Sequence, residues 1–315
     1  MKILSVPGNL LLLGEYAVLE EGGMGLAFAV EPRVRVESEA ASRLTIESRF
    51  GSERVAWSRE PELREPRLER SRGKEPGLIR AVVASCEEEV CLPSLRILVD
   101  ASRFYDSQGH KVGLGSSAAS AVGIAAALLE GASIDRLPER LFAVALRAHR
   151  AFQQGRGSGY DVAASAYGGI GLFTGGRSPS FRAASLPWLP PFRLVRASSP
   201  VRTPDAIGRY LDWKGHNEGM ASRFVEESNL LVQSFVTARS WSEARPALLE
   251  AKRLGLWLGD AIGVSAALDL TGQGLLSKAL GAGNELAAVW QWEAESPAIE
   301  AATAVLSERG LTWKE

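Results

Sequence analysis

Lysine is scarce in this chain of 315 residues. Seven occur, at positions 2, 74, 111, 214, 252, 278 and 314, among 36 lysines and arginines. Any lysine beside a glycine-rich segment is therefore a marked candidate cation. Cysteine is scarcer still. Cys86 and Cys91 lie in a Glu-rich, helix-like segment and match neither a metal-ligand spacing nor a disulfide framework. They read as reduced thiols of a cytosolic protein. His110, His149 and His216 are scattered, which argues against a clustered transition-metal site. No run of about 20 apolar residues occurs, so no segment reads as a membrane span. Residues 1–8 lack the apolar core of a signal peptide. A one-sided charge is missing too: the formal net charge is −1, which makes nucleic acid and anionic membrane poor partners. What remains is 46% hydrophobic and 23% charged, an ordinary globular composition with chain enough for one large or two medium domains.

Against that background one segment stands out: Lys111-Val-Gly-Leu-Gly-Ser-Ser-Ala-Ala-Ser120, running into the Ala-rich stretch 121–129. Gly113 and Gly115 let the backbone turn sharply and approach a ligand closely. A helix start has unpaired N–H groups and the positive end of the helix dipole, so this junction suits a phosphate. Ser116 and Ser117 equally suit a plain helix cap after a turn.

Along the chain, residues 2–6 read as a strand broken by Pro7-Gly8, with a second apolar run at 10–13. Residues 25–38 alternate as a strand does, and 45–50 with 54–57 read as a hairpin. Residues 59–76 combine many charges with Pro61, Pro66 and Pro76 and read as an exposed excursion. Helices are expected over 78–90, 117–130, 140–154, 217–238, 242–257 and 297–309, and further strands over 95–99, 170–173, 192–197, 276–279 and 286–292. Strands in local groups with helices between them indicate an α+β fold in two layers.

Four segments form an ordered set: Pro7-Gly-Asn-Leu-Leu-Leu-Leu-Gly14-Glu15-Tyr16; the Gly-Leu-Gly-Ser-Ser turn; Gly155-Arg-Gly-Ser-Gly-Tyr-Asp161-Val-Ala-Ala-Ser-Ala-Tyr167-Gly-Gly169; and Ser277-Lys-Ala-Leu-Gly-Ala-Gly283. In this order and spacing the chain resembles the GHMP kinase superfamily, and its third segment looks most like the phosphomevalonate kinase family. The resemblance implies a two-domain α+β fold. An S5-like N-terminal domain is expected over 1–180 and a ferredoxin-like C-terminal domain over 181–315. It also implies transfer of the γ-phosphoryl of ATP to a small molecule, with mevalonate 5-phosphate the best match and mevalonate or another acceptor the alternatives.

By the same resemblance, Gly113, Leu114, Gly115, Ser116, Ser117 and Ala118 hold the ATP phosphates, and the Ser117 hydroxyl reaches Mg²⁺. Asp161 is the catalytic or orienting acid. Its competing role is to cap the next helix. Lys111 either reaches the phosphates as a catalytic cation or is a solvated loop lysine. Asn9, Glu15, Tyr16, Ser158, Gly281, Ala282 and Gly283 are implied on the acceptor side, with Ser158 equally readable as a turn hydroxyl. His149, alone on its helix, reads as a core residue more readily than as a substrate ligand.

Two positions depart from the family pattern. Asn9 stands where the family has lysine, and an amide brings hydrogen bonds without charge. Losing one cation from a phosphoryl-transfer site costs on the order of 10²-fold in rate unless Lys111, Arg202 or Lys278 replaces it. After Gly283 the chain continues Asn284-Glu285-Leu286 in place of further glycines. These departures keep a second reading open: a relative that binds ligand or partner and transfers phosphate poorly.

Overall fold

The computed structural model describes residues 1–50, 53–58, 67–69, 75–132, 138–196, 201–264, 276–282, 285–290, 302–303 and 311–314. Its elements, in chain order, are β1 (Lys2–Leu13), β2 (Met24–Ala40), β3 (Thr45–Phe50), β4 (Glu53–Ser58), β5 (Arg67–Glu69), α1 (Glu75–Glu87), β6 (Leu95–Asp100), α2 (Ser116–Gly131), α3 (Pro138–Phe152), α4 (Tyr160–Tyr167), β7 (Ile170–Thr174), β8 (Ser180–Ala184), β9 (Arg193–Arg196), α5 (Thr203–His216), α6 (Glu218–Thr237), α7 (Trp241–Ile262), β10 (Leu276–Leu280), β11 (Leu286–Trp290), β12 (Ala302–Thr303) and β13 (Thr312–Lys314). They form two compact units. The first is Met1–Asn9, Ala29–Gly169 and Ser307–Glu315; the second is Leu10–Phe28 and Ile170–Leu306.

In the first unit the strands follow the order β13-β1-β2-β6-β3-β4-β5. β1 with β13, β2 with β6, β3 with β4 and β4 with β5 are antiparallel, and β3 with β6 is parallel. Helices α1 to α4 pack on one another. α2 is hydrophobic nearly all round, and every residue from Ala118 to Leu129 is buried, as expected of a central helix. Its Gly123 faces Val6 and Val36, where a Cβ would lie 2.6 Å from the Val36 side chain, so the helix seats directly on β1 and β2.

Several expectations change here. β1 runs unbroken through Pro7-Gly8. β13 pairs with Ile3–Ser5 only, and the period of two puts the Pro7 nitrogen on the same edge as that of Asn9. Asn9 donates from that edge to the Leu114 carbonyl (3.0 Å), not to a strand, so no ladder bond needs a proline N–H. Of the charged excursion at 59–76, residues 67–69 form β5 on the edge of β4, and residues 59–66 and 70–74 lie outside the described residues.

The second unit holds a four-stranded antiparallel sheet in the order β10-β11-β9-β12, together with α5, α6 and α7. The hairpin β7–β8 pairs with the start of β2. The core gathers Tyr16, Ala17, Tyr210, Phe224, Leu254 and Leu258. The Tyr16 and Tyr210 rings sit 5.2 Å apart, and the Tyr210 hydroxyl donates to Glu20 at 3.0 Å. α5 has no counterpart in the expected helices: Pro204, its second residue after the Arg202 N-cap and Thr203, opens a helix that loop chemistry conceals. α7 starts on Ser240, whose hydroxyl accepts from the Glu243 N–H, and continues through Gly255 and Gly259 to Ile262. The helix expected over 297–309 lies mostly outside the described residues, and 302–303 form β12 on β9.

Candidate active site

The Gly113–Gly115 turn is held from behind by β1. Gly113 and Gly115 have φ of +90° and +72°. Gly115 is the N-cap of α2, in the left-handed conformation and without a side-chain cap bond. A Cβ there would lie 2.2 Å from the Asn9 amide, so glycine is required by conformation and by space together. Leu114 is buried, and its carbonyl accepts from the Asn9 N–H.

The two serines do not cap the helix as their chemistry allowed. They occupy its first two positions because Gly115 takes the cap. Ser116 is 1% exposed, and its Oγ has no hydrogen-bond partner among the described residues. A buried hydroxyl left unsatisfied is costly. An uncapped helix N-terminus with an orphaned hydroxyl beside it is a fitting cradle for a phosphate. Ser117 is half-buried, Ala118 is buried, and Lys111 lies exposed on the loop leading into the turn.

Asn9 is 2% exposed. Its Nδ2 donates to the Gly115 carbonyl (3.3 Å) and to Ser165 Oγ (3.0 Å) on α4. Asn9 therefore braces the Gly113–Gly115 turn against the helix that carries Asp161.

Asp161 lies in the first turn of α4, whose N-cap is Gly159. It is not the cap residue, although its Oδ1 accepts from the next N–H, that of Val162, at 2.9 Å. The preceding turn is clamped by Arg150, which donates to the carbonyls of Gly157 (3.1 Å) and Ser158 (3.0 Å). Burial holds the Arg150 guanidinium below its ordinary range, against the pull of Asp161. Ser158 itself is buried.

His149, on α3, is 1% exposed, as a core residue is. Its neighbours were not legible in the sequence. Nε2 lies 3.3 Å from Ser117 Oγ and Nδ1 lies 3.4 Å from Asp161 Oδ2. Ser117 and Asp161, chosen from separate segments, are joined by one imidazole. The available signal was its position, twelve residues before Asp161 on the helix entering the third segment.

In the second unit, Glu15, Tyr16, Gly281 and Ala282 come together. Tyr16 has φ +63° and ψ −40°, and the Ala17 N–H donates to the Glu15 carbonyl at 2.8 Å. This is a γ-turn of the rare, strained hand. The Tyr16 hydroxyl donates to the Ala282 carbonyl at 2.6 Å. Burial pushes its ionisation far above the ordinary range.

Glu15 forms an ion pair with Lys278, which is 3% exposed and also donates to its neighbour's carbonyl, Ala279 O, at 3.1 Å. Burial raises the Glu15 carboxyl above the usual range by more than Lys278 offsets. Lys278 is thus committed to Glu15 and to a backbone carbonyl. Arg202, the other distant candidate cation, is exposed with Asp205 beside it at 3.8 Å. Glu15, Tyr16, Lys278 and Gly281 border a pocket that Phe224 and Leu254 also line. Gly283 and Asn284 lie outside the described residues. Among the described residues no group of three or more His, Cys, Asp or Glu could hold a metal ion, and no helix is long and apolar enough to cross a membrane.

A glycine-braced helix N-terminus facing an acid on a neighbouring helix defines a class when set beside known proteins. Residues 78–169 match the family model described as GHMP kinases N terminal domain, and the chain has the α+β fold of solved kinases of that kind, which supports a phosphotransferase. Over 292 residues it is 28% identical to the phosphomevalonate kinase of Streptomyces sp. (strain CL190), an alignment covering 78% of this chain and 75% of that protein. Two solved structures share the fold. The Lin0012 protein from Listeria innocua has a TM-score of 0.79 at 19% identity over 99% of both chains. Streptococcus pneumoniae phosphomevalonate kinase, in complex with phosphomevalonate and AMPPNP, has a TM-score of 0.72 at 18% identity over 93% of both chains.

Proposed function

We propose that this chain is an ATP-dependent kinase whose acceptor is mevalonate 5-phosphate, yielding the 5-diphosphate. The observation that carries the reading is the α2 N-terminus: an uncapped helix start behind Gly115, the orphaned Ser116 hydroxyl, and Ser117 within one imidazole of Asp161. The similarity to phosphomevalonate kinases and the third sequence segment support the acceptor.

In this reading the backbone of 113–118 and the Ser116 hydroxyl bind the nucleotide phosphates. Phosphoryl transfer needs positioned phosphates and stabilised charge more than covalent help. The Ser117 hydroxyl oxygen suits Mg²⁺, which when bound would supply neutralisation of phosphate charge. The acceptor oxygen is already anionic, so Asp161 orients it more than it removes a proton. Lys111, at the mouth of the turn, is the cation nearest in sequence to the phosphates.

A second reading, a relative that binds nucleotide but transfers poorly, is favoured by Asn9, whose amide is engaged by Gly115 and Ser165 and brings no charge. A coupled ADP-release assay with mevalonate 5-phosphate, mevalonate, homoserine and galactose separates the two. Turnover with mevalonate 5-phosphate in clear excess over the others supports the first. Calorimetric nucleotide binding without turnover on any of them supports the second. Asp161→Asn should cut turnover far more than nucleotide affinity.

A further inference from the structure

We propose that His149 is a positioning residue, coupling the phosphate-turn serine Ser117 to Asp161 through its two ring nitrogens. The inference rests on the reading that Ser117 and Asp161 act on the nucleotide and its acceptor.

The imidazole is buried to 1% exposure on α3, between α2 and α4. Each nitrogen faces a different helix, Ser117 Oγ at 3.3 Å and Asp161 Oδ2 at 3.4 Å. An ionised carboxylate only accepts hydrogen bonds, so the nitrogen facing it, Nδ1, carries a hydrogen. In the neutral ring Nε2 is then an acceptor, and the Ser117 hydroxyl donates to it. That donation fixes the serine rotor. Its lone pairs are turned away from the imidazole, the orientation a hydroxyl needs to bind a cation. Asp161 is set in return: Oδ1 accepts from the Val162 N–H, and Oδ2 lies beside Nδ1.

Packing alone does not account for this arrangement. The ring's aromatic neighbour, Phe152, sits 6.2 Å away and constrains neither nitrogen. The same last turn of α3 supplies Arg150, which clamps Gly157 and Ser158 immediately before Asp161. One helix end therefore sets both the turn that presents the acid and the imidazole beside its carboxylate. The Ser117 hydrogen bond is long and the Asp161 contact stands at ion-pair distance, as is common for catalytic contacts before ligands bind.

Two substitutions separate the nitrogens. His149→Asn keeps a polar atom near Nδ1, and His149→Gln keeps one near Nε2. His149→Gln should leave the nucleotide KM within about twofold and lower kcat about tenfold or more; His149→Asn should raise the nucleotide KM about fivefold with a smaller loss in kcat. If both variants match the wild type in kcat and KM, or lose only thermal stability, the proposal is overturned.

Labelled-histidine ¹⁵N spectra of the wild type give a readout independent of turnover. They should show His149 protonated at Nδ1, with a mixed tautomer in Asp161→Asn and a shifted Nε2 in Ser117→Ala. Spectra unchanged by both substitutions would also overturn it. Should the wild type phosphorylate no acceptor, the functional reading falls, and these spectra still decide the coupling.

Discussion

The Tyr16 hydroxyl and the Ala282 carbonyl, 266 positions apart in sequence, are joined by a 2.6 Å hydrogen bond in the second unit. It ties the strained turn after the first sequence segment to the turn of the last one. Tyr16→Phe removes this bond and keeps the ring against Tyr210. A half-exposed carbonyl regains water, so the expected cost is about 1 kcal/mol, read as a lower midpoint in urea unfolding. If Glu15 and its surroundings serve the acceptor, the acceptor KM should rise more than the nucleotide KM.

The buried pair of Glu15 and Lys278 should behave asymmetrically. Lys278→Met alone removes the cation that offsets the burial of Glu15 and should destabilise by about 3 kcal/mol, whereas adding Glu15→Gln to it recovers most of the loss. A double-mutant cycle in urea measures this, and additive single effects would refute it.

The pair also predicts a pH dependence. The Glu15 carboxyl is raised above its ordinary value of 4.5 in the folded state. A raised acid binds more protons folded than unfolded, so its contribution is fully present below the unfolded pKa and is lost as pH rises through the folded one. The melting temperature of the wild type should fall relative to that of Glu15→Gln as pH is raised from 4.5. Parallel curves for the two proteins would contradict the assignment.

Two glycines in the left-handed region should differ sharply on replacement by alanine. At Gly115 the new Cβ meets the Asn9 amide at 2.2 Å, so strain and overlap add. At Gly281, φ +66°, nothing lies within 4 Å of that Cβ. Gly281→Ala should cost about 1–2 kcal/mol from conformation alone. Gly115→Ala should cost more and abolish nucleotide binding, as calorimetry would reveal. Equal effects would mean the brace behind the turn is unimportant.

Asn9→Asp tests that brace directly. It is isosteric, but a carboxylate cannot donate to the Gly115 carbonyl or to Ser165 as the amide does. Destabilisation of about 2–3 kcal/mol is expected, with weaker nucleotide binding. A stable variant with normal affinity would show that the amide is not what holds the turn.

Much of this was legible beforehand because local signals agreed with the tertiary structure. The alternation at 25–38 gives β2, the Ala-rich run after Gly115 gives α2, and glycines mark each segment of the site. Where the sequence misled, the deciding partner was far away in the chain. Pro7 breaks a strand only where its edge needs a donor. Ser116 and Ser117 look like caps until Gly115 takes that place. Asn9 looked like a weakened phosphate ligand, but Ser165 and Gly115 use its amide as a brace. His149 looked like any core histidine, because the two groups at its nitrogens come from helices 32 positions before it and 12 after.

The pairing of β1 with β13 bears on the order of synthesis. Ile3 is paired with Lys314, so the first unit joins one strand to another translated almost 310 residues later. The whole second unit beyond Ile170 is made between them. On a ribosome the edge of β1 along Ile3–Ser5 therefore stays open until the rest of the described chain has emerged, and an unpaired edge invites pairing with another chain. Short pauses or chaperone contact during translation should matter more for this molecule than for one whose sheet closes within its first half.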